Sequence, residues 1–467
     1  MLKLIYRVVV LLGALSLIQS CKINKDYART NPYELESYRQ EKIETDTTSL
    51  ADYEWKRFFS DSLLLAYIDE GLANNFDVLK ANQNLQITQA YVKQAKASFL
   101  PNVNAATGVG ENRPSISTFS GSGLPEGTRF GDGYVGASLS WEADIWGRIR
   151  SQKKAALAQY LQTENVQRLV KSQVVNAIAY NYYLLLALDE KREIVLSSIQ
   201  NRTEGVSTIK ALKEAGTVTE VAVKQTEALL YNAQALQIEI ENAIKIIENA
   251  FSTLLGRTPQ AIPRTRLSEQ AFTKDLNVGV PIQLLDNRPD VMAAEYHLIN
   301  AFELTNVAHA SMYPALSISA SAGLNSQNFD NLFSLNSLFA TVLGNLTQPI
   351  FNQRRLKTNK EVAQSNQEIT FLDYKQTVLR AYGEVSDALY TYNANIKSLV
   401  IKKQENDALV DAINYSEELQ GQGLANYLEV LRAKDNALSA QLSIVDLEFT
   451  KLQSITNLYQ ALGGGWK

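Results

Sequence analysis

The sequence predicts a mainly α-helical chain built as two tandem copies of one unit, each copy carrying a pair of membrane β-strands and a long helical hairpin. Three observations predict it. All ten prolines lie outside 126–258 and 350–467, which leaves both stretches free to run as long helices. Segments near 102–110, 134–141, 314–324 and 338–346 alternate apolar and small or polar residues with the period of a strand. Landmarks of the first half also recur in the second, in the same order and at nearly one spacing.

The N-terminus comes first. Lys3 and Arg7 precede an apolar run from Val8 to Ile18 that is too short to span a bilayer as a helix, which marks 1–20 as a signal peptide. Ile18-Gln19-Ser20-Cys21 has the form of a lipobox, and the chain's single cysteine falls at the one position where that motif needs it. Cys21 is therefore the expected lipidation site, carrying a covalent lipid that anchors without spanning. Beyond it, no apolar run of about 18 residues occurs, so any crossing of a membrane must be made by strands. The segment 21–70 reads as an anchor and equatorial region.

The repeats follow as 71–256 and 282–467, joined by the linker 257–281. Ala97-Ser98-Phe99-Leu100-Pro101 matches Ala310-Ser311-Met312-Tyr313-Pro314, and Asp77-Val78 matches Asp290-Val291, both at an offset of 213 residues. Gly216 falls on Gly423 and Leu255-Gly256 on Leu462-Gly463, both at 207. Each copy opens with a helix that ends near a proline. Strands are then expected near 102–112 and 132–142, and near 314–326 and 338–348. In 314–324 one face carries Leu316, Ile318, Ala320, Ala322 and Leu324, and the other Ser317, Ser319, Ser321 and Gly323. A half-solvated sheet on a soluble core is the common source of such alternation. Here the polar face is almost uncharged and aromatics (Phe99, Trp141, Trp146, Tyr313, Phe351) gather at the strand ends, which suits an outer-membrane slab. Four strands cannot close a barrel, and open edges cannot sit in lipid, so the barrel must be shared between chains.

A very long helix follows each second strand. At ~1.5 Å per residue, each rod is on the order of 100 Å long. The rods turn back at glycines, giving tips near 213–219 and 421–427, into return helices with heptad seams. The first seam reads as Ala222, Leu229, Leu236, Ala243 and Ala250 beside Thr226, Ala233, Ile240, Ile247 and Leu254. The second reads as Leu431, Leu438, Val445, Leu452 and Tyr459.

Composition narrows the function. Lys+Arg 45 against Asp+Glu 49 gives net charge −4, which argues against nucleic acid as a partner. Two histidines, His297 and His309, and one cysteine are too few for a zinc or iron–sulfur site. No Ser/His/Asp constellation and no phosphate loop followed by Lys-Ser/Thr occurs, so neither an enzyme nor a metal centre is expected. Arg288-Pro289-Asp290 reads as a helix start, with proline in the first turn and an acid at the positive end of the dipole.

Seven words in order carry a resemblance. They are Ala97–Pro101, Trp141–Arg148, Asn287–Val291, Gln348–Phe351, Gly383–Leu389, Asn426–Leu431 and Tyr459–Trp466. Together they resemble the TolC-like outer-membrane factors, specifically the lipid-anchored efflux subgroup that works with resistance-nodulation-division pumps. The resemblance implies a homotrimer in which each protomer gives four strands to a twelve-stranded barrel in outer-membrane lipid and its long hairpins to a periplasmic α-barrel. It implies a periplasmic adaptor (membrane fusion) protein and an inner-membrane pump as partners, with no cofactor beyond the lipid on Cys21. Adaptor contact and gating would fall on Gly216, Thr217, Val218 and Thr219 at one tip and on Gly423, Leu424, Ala425, Asn426 and Tyr427 at the other. Ala425 occupies the position where family members often carry an aspartate, with Glu417, Glu418 and Glu429 nearby as substitutes. The expected function is a passive efflux conduit of the outer membrane. A conduit for type I protein secretion and a pore-free, lipid-anchored coiled-coil spacer are the alternatives.

Overall fold

The computed structural model of the chain describes residues 23–29, 33, 49–115, 117, 123–270, 272 and 283–467. The expected signal peptide 1–20 and the expected lipidation site Cys21 lie outside the described residues, as do parts of the loop 113–131 and of the linker 257–281. In chain order the main elements are α1 (Ser62–Asn74), α2 (Phe76–Ala97), β1 (Asn102–Asn112), β2 (Phe130–Ala143), α3 (Arg148–Glu214) and α4 (Glu220–Leu254). They continue with α5 (Pro289–Ala310), β3 (Ala315–Ser326), β4 (Leu338–Thr347), α6 (Arg355–Gly421) and α7 (Tyr427–Ala461). Both long helices, α3 and α6, have 67 residues, and both return helices have 35. Among the described residues no helix is long and apolar enough to cross a membrane. The chain divides into two units, and α2, α3, α5 and α6 contribute residues to both.

The first unit comprises Met1–Thr30, Gln86–Gln162 and Ala294–Asp373 and contains the sheet. All four strands are antiparallel in the order β1-β2-β3-β4, which leaves β1 and β4 as open edges. Register sorts side chains by face, because residues directly opposite one another share a side of the pleat. One row across the sheet is Val103, Leu139, Ala320 and Val342, and the next on that face is Ala105, Ala137, Ala322 and Ala340. The opposite face holds the row Asn104, Ser138, Ser321 and Thr341. Leu338, Val342 and Leu346 stand well exposed on β4, and Val103 and Val109 on β1.

Aromatic donors tie the strand ends. Trp141 Nε1 donates to Phe99 O at 2.8 Å, and Trp146 Nε1 donates to Pro314 O at 2.7 Å, which links the two repeats. The Asp144 carboxylate caps the start of α3, accepting from Ile149 N at 2.8 Å and Arg150 N at 3.0 Å. Residues 23–29 lie along this unit. Asn24 Nδ2 donates to Gly147 O and Ser151 Oγ, both at 3.0 Å, and Asn306 pairs with the Lys25 backbone through both N–H and C=O.

The second unit comprises Asn31–Leu85, Thr163–Ala293 and Tyr374–Lys467. Its centre is aromatic. Phe58 stacks on Tyr459 at 4.0 Å, Tyr67 meets Phe251 edge-on at 5.1 Å, and the Tyr459 hydroxyl donates to Tyr53 O at 2.7 Å. In the second return helix Leu431, Val445, Leu452 and Tyr459 are buried and Leu438 half-buried. In the first the seam is displaced by one residue from the expected row. Thr226, Ala233 and Ile240 are buried as expected, but Val223, Leu230, Ile244 and Phe251 are buried in place of the Ala222 row. Of that row, Ala222, Leu229, Leu236 and Ala243 are half-buried and Ala250 is exposed. The displaced row carries the bulkier side chains, so turning α4 by one residue removes more apolar area from water than the alanine row offers.

The linker is pinned to the hairpin it follows. The Arg264 guanidinium bridges Asp189 on α3 and Glu248 on α4, and Tyr67 donates to Pro263 O at 2.7 Å. The Asp61 carboxylate caps α1 and accepts from Tyr182 at 2.8 Å and from Gln270 at 2.9 Å. Burial pushes the Asp61 carboxyl up, and hydrogen bonds from Thr265, Gln270, Tyr182 and the Leu64 N–H outweigh it, holding it below its ordinary value.

Candidate functional site

The two hairpin tips have the same backbone. Gly216 has φ +77° and Gly423 φ +75°, the left-handed region that ends a helix. At the first tip Gly216 N donates to Lys213 O at 2.9 Å and Thr217 N to Leu212 O at 3.0 Å. At the second, Gly423 N donates to Gln420 O at 3.0 Å and Leu424 N to Leu419 O at 2.9 Å. This paired pattern closes both helices with one Schellman motif, used twice. Each return helix starts three residues after its glycine, at cap residues Thr219 and Asn426, and the Asn426 side chain accepts from Leu428 N at 3.1 Å.

The tips come together around a cavity of about 600 Å³. Of the residues singled out in the sequence, Thr217, Val218 and Thr219 line it from one hairpin, and Gly423, Ala425, Asn426 and Tyr427 from the other. Gly216 and Leu424 are exposed beside it, Leu424 at 73%. The Tyr427 hydroxyl packs against α3 where Gly205 has no side chain, since a Cβ there would lie 2.8 Å from it. Burial, with Glu417 nearby, raises the Tyr427 phenol and keeps it neutral.

Neither turn itself carries a charge, and the acids beside them are placed as follows. Glu220 pairs with Lys213 at 3.0 Å across the first turn. Glu417 pairs with Lys434 at 2.7 Å inside the second hairpin, and Glu418 and Glu429 are exposed. Glu227 accepts from Lys210 and Lys224 at 2.8 and 2.9 Å, and those two hydrogen bonds bring its carboxyl down to about 2.

Reading the sequence did not pick out the residues that join one hairpin to the other. Arg202 is buried on α3 and donates to Leu229 O on α4 at 3.0 Å and to Asp435 on α7 at 2.8 Å, so one guanidinium holds three helices. Lys191 on α3 pairs with Asp446 on α7 at 2.6 Å. Tyr180 meets Phe449 edge-on at 5.6 Å. The only available signal is a pair of opposite charges on helical stripes that otherwise read as solvated.

Arg288 immediately precedes α5, which starts at Pro289 as the Arg288-Pro289-Asp290 context suggests, and its side chain does more. Its guanidinium holds Asp290 in a two-point pair at 2.9 and 2.7 Å, Glu384 on α6 at 2.6 Å and the Ala461 carbonyl at the end of α7 at 2.9 Å. Burial works against its charge, and the carboxylates of Asp290 and Glu384 restore it. His297 is exposed on α5, and His309 is half-buried edge-on to Tyr313 at 5.6 Å. Among the described residues no three His, Cys, Asp or Glu side chains converge on a metal-sized site.

The family model described as outer membrane efflux protein matches residues 67–257 and 280–464. The solvent efflux pump outer membrane protein SrpC of Pseudomonas putida is 30% identical over 414 residues, covering 88% of this chain and 87% of that protein. The cation efflux system protein CusC of Escherichia coli O6:H1 is 26% identical over 422 residues, 88% of each chain. In fold, the open-state crystal structure of the Neisseria gonorrhoeae MtrE outer membrane channel superposes with a TM-score of 0.86 at 24% identity, over 96% of this chain and 99% of that one. The chain belongs to the outer membrane efflux protein family, and its function is that of an outer-membrane efflux channel.

Proposed function

We propose that three copies of this chain close one pore across the outer membrane, and that the pore is the passive exit of a tripartite pump for small molecules. The sheet carries the proposal. Its larger aliphatic residues keep to one face through β1, β2 and β3, and on β4 Leu338, Val342 and Leu346 share that face while Phe339 and Leu343 stand with Thr341 on the other; both edges of the sheet are unpaired. Such a sheet is stable in lipid only when neighbouring copies pair its edges. Two helices likewise carry exposed apolar side chains. Ile87 and Tyr91 on α2 are 53% and 59% exposed, and Val362, Ile369 and Leu372 on α6 are 53–55% exposed at heptad spacing.

Lipid on Cys21 anchors each copy, and outer-membrane lipid surrounds the barrel. The tips around Gly216–Thr219 and Gly423–Tyr427 receive the periplasmic adaptor, and closure there is a matter of helix packing, with no chemistry performed by this chain. Energy comes from the inner-membrane pump. Relatives named for solvent and for cation efflux support an efflux role over protein secretion.

The test uses a strain lacking its own copy, complemented with wild type or with Cys21→Ser. Wild type is expected in the outer-membrane fraction and to restore resistance to exported compounds. The Cys21→Ser protein is expected still to need detergent for solubility, because strands remain to hold it. A freely soluble Cys21→Ser protein would show instead that the lipid is the whole of its membrane contact, and that it is a spacer.

A further inference from the structure

On the neutral face of the sheet, the row Asn104, Ser138, Ser321 and Thr341 offers only hydroxyls and amides. In the row beside it Gly136 faces Gly323, so close that a Cβ on Gly323 would lie 2.5 Å from the Gly136 Cα. One row further out, the Tyr134 ring lies over Gly108, where a Cβ would lie 2.3 Å from it. Charge occurs on this face only towards its ends. At one end Glu142 is locked to Arg148 by hydrogen bonds of 2.9 and 2.6 Å, and at the other stands the exposed Asp132.

We propose that this face is a charge-neutral wall of the pore, so that the outer-membrane exit passes cations and anions alike and makes no selection among cargo by charge. The proposal rests on the shared-barrel reading above. Physically, a wall lined by one sign of charge concentrates counter-ions by about 10–10³-fold. Its reach at physiological salt is about 8 Å. Hydroxyls and amides carry both donors and acceptors and solvate either sign. Closure by several copies multiplies whatever each row carries, so one fixed charge per protomer would become a ring, whereas a neutral row becomes a neutral ring.

The experiment uses the full chain in intact outer membranes with Ser321→Cys, labelled from outside by a cationic and an anionic methanethiosulfonate of similar size, with wild type as the blank. The ratio of the two rates, normalised to a small free thiol, is expected within about twofold of one. A ratio displaced tenfold or more, the smallest effect a charged wall produces, overturns the proposal. Adding Ser138→Asp, the neighbour in the same row, should shift the ratio about tenfold or more towards the cationic reagent. No shift would mean that charge on this face is not sensed in the pore, which also overturns it. Ala322→Cys, on the opposite face, is expected to react with neither reagent. Reaction at Ala322→Cys without reaction at Ser321→Cys would instead overturn the shared-barrel reading, because the faces would then be reversed.

Discussion

Gly463 turns against the carbonyl oxygen of Asn287 so closely that a Cβ there would lie 2.5 Å from it, and Gly256 stands in the same relation to Asn74, also at 2.5 Å. The two repeats therefore close on themselves by one device: the end of a return helix seats against the start of its own repeat. The neighbouring residue completes it differently in each copy. Asn75 Nδ2 donates to Leu254 O at 2.9 Å, and Arg288 Nη1 donates to Ala461 O at 2.9 Å. Arginine adds reach, which brings Asp290 and Glu384 into the second closure.

Gly463→Ala and Gly256→Ala are expected to destabilise the chain by about 1–3 kcal/mol each, from positive φ and backbone collision together. Thermal unfolding in detergent, read by the loss of helix signal, checks this. Gly216→Ala and Gly423→Ala meet open space and bear only the strain of their φ values, so each should cost about 1 kcal/mol, confined to a tip. Equal melting losses at all four glycines would contradict the distinction.

Arg288→Ala should cost about 3 kcal/mol, because it strands the Asp290 carboxylate and the Ala461 carbonyl. Arg288→Lys keeps the charge but cannot reproduce the two-point pair, and should fall between. Limited proteolysis of both variants beside wild type orders them.

Arg202→Ala is expected to loosen the hold of α3 on α7 and to raise the open probability of single channels in planar bilayers. Asp435→Asn, which leaves the Leu229 contact in place, should have the same direction and a smaller size. Unchanged open probability in both would remove the guanidinium from any part in closure.

Acid should weaken the first hairpin. A carboxyl whose folded pKa is depressed contributes stability that is present above its unfolded pKa and lost as pH falls through the folded one. For Glu227 that window runs from 4.5 down to about 2. Asp61, also lowered, acts in the same sense below its ordinary value of 3.8. Hydrogen exchange of α4 amides near Glu227 should quicken as pH falls from 4.5 towards 2, after correction for intrinsic rates, and Glu227→Gln should abolish that dependence.

What could be read from the sequence follows from how local each signal is. Strand faces were legible in 314–324, because alternation is a property of neighbouring residues and register later only aligned it across Ala105, Ala137, Ala322 and Ala340. Gly216 and Gly423 were legible as turns because each interrupts a long helix-forming run that glycine can end in a left-handed conformation. The first seam lies one residue from the alanine and leucine row because that row and the adjacent row of larger side chains both satisfy the period, and only packing chooses between them. The link between Arg202 and Asp435 was not legible, since its partners are 233 residues apart and each sits on a helix rich in other charges.

The shared pore is tested most directly by the mass of the particle. Extracted from outer membranes in mild detergent and examined by native mass spectrometry, the protein is expected as a trimer that loses its assembly when detergent is withdrawn, each subunit carrying the added mass of lipid on Cys21. A monomer or dimer that stays soluble without detergent would contradict it, because the open edges of β1 and β4 would then have no neighbour in the membrane.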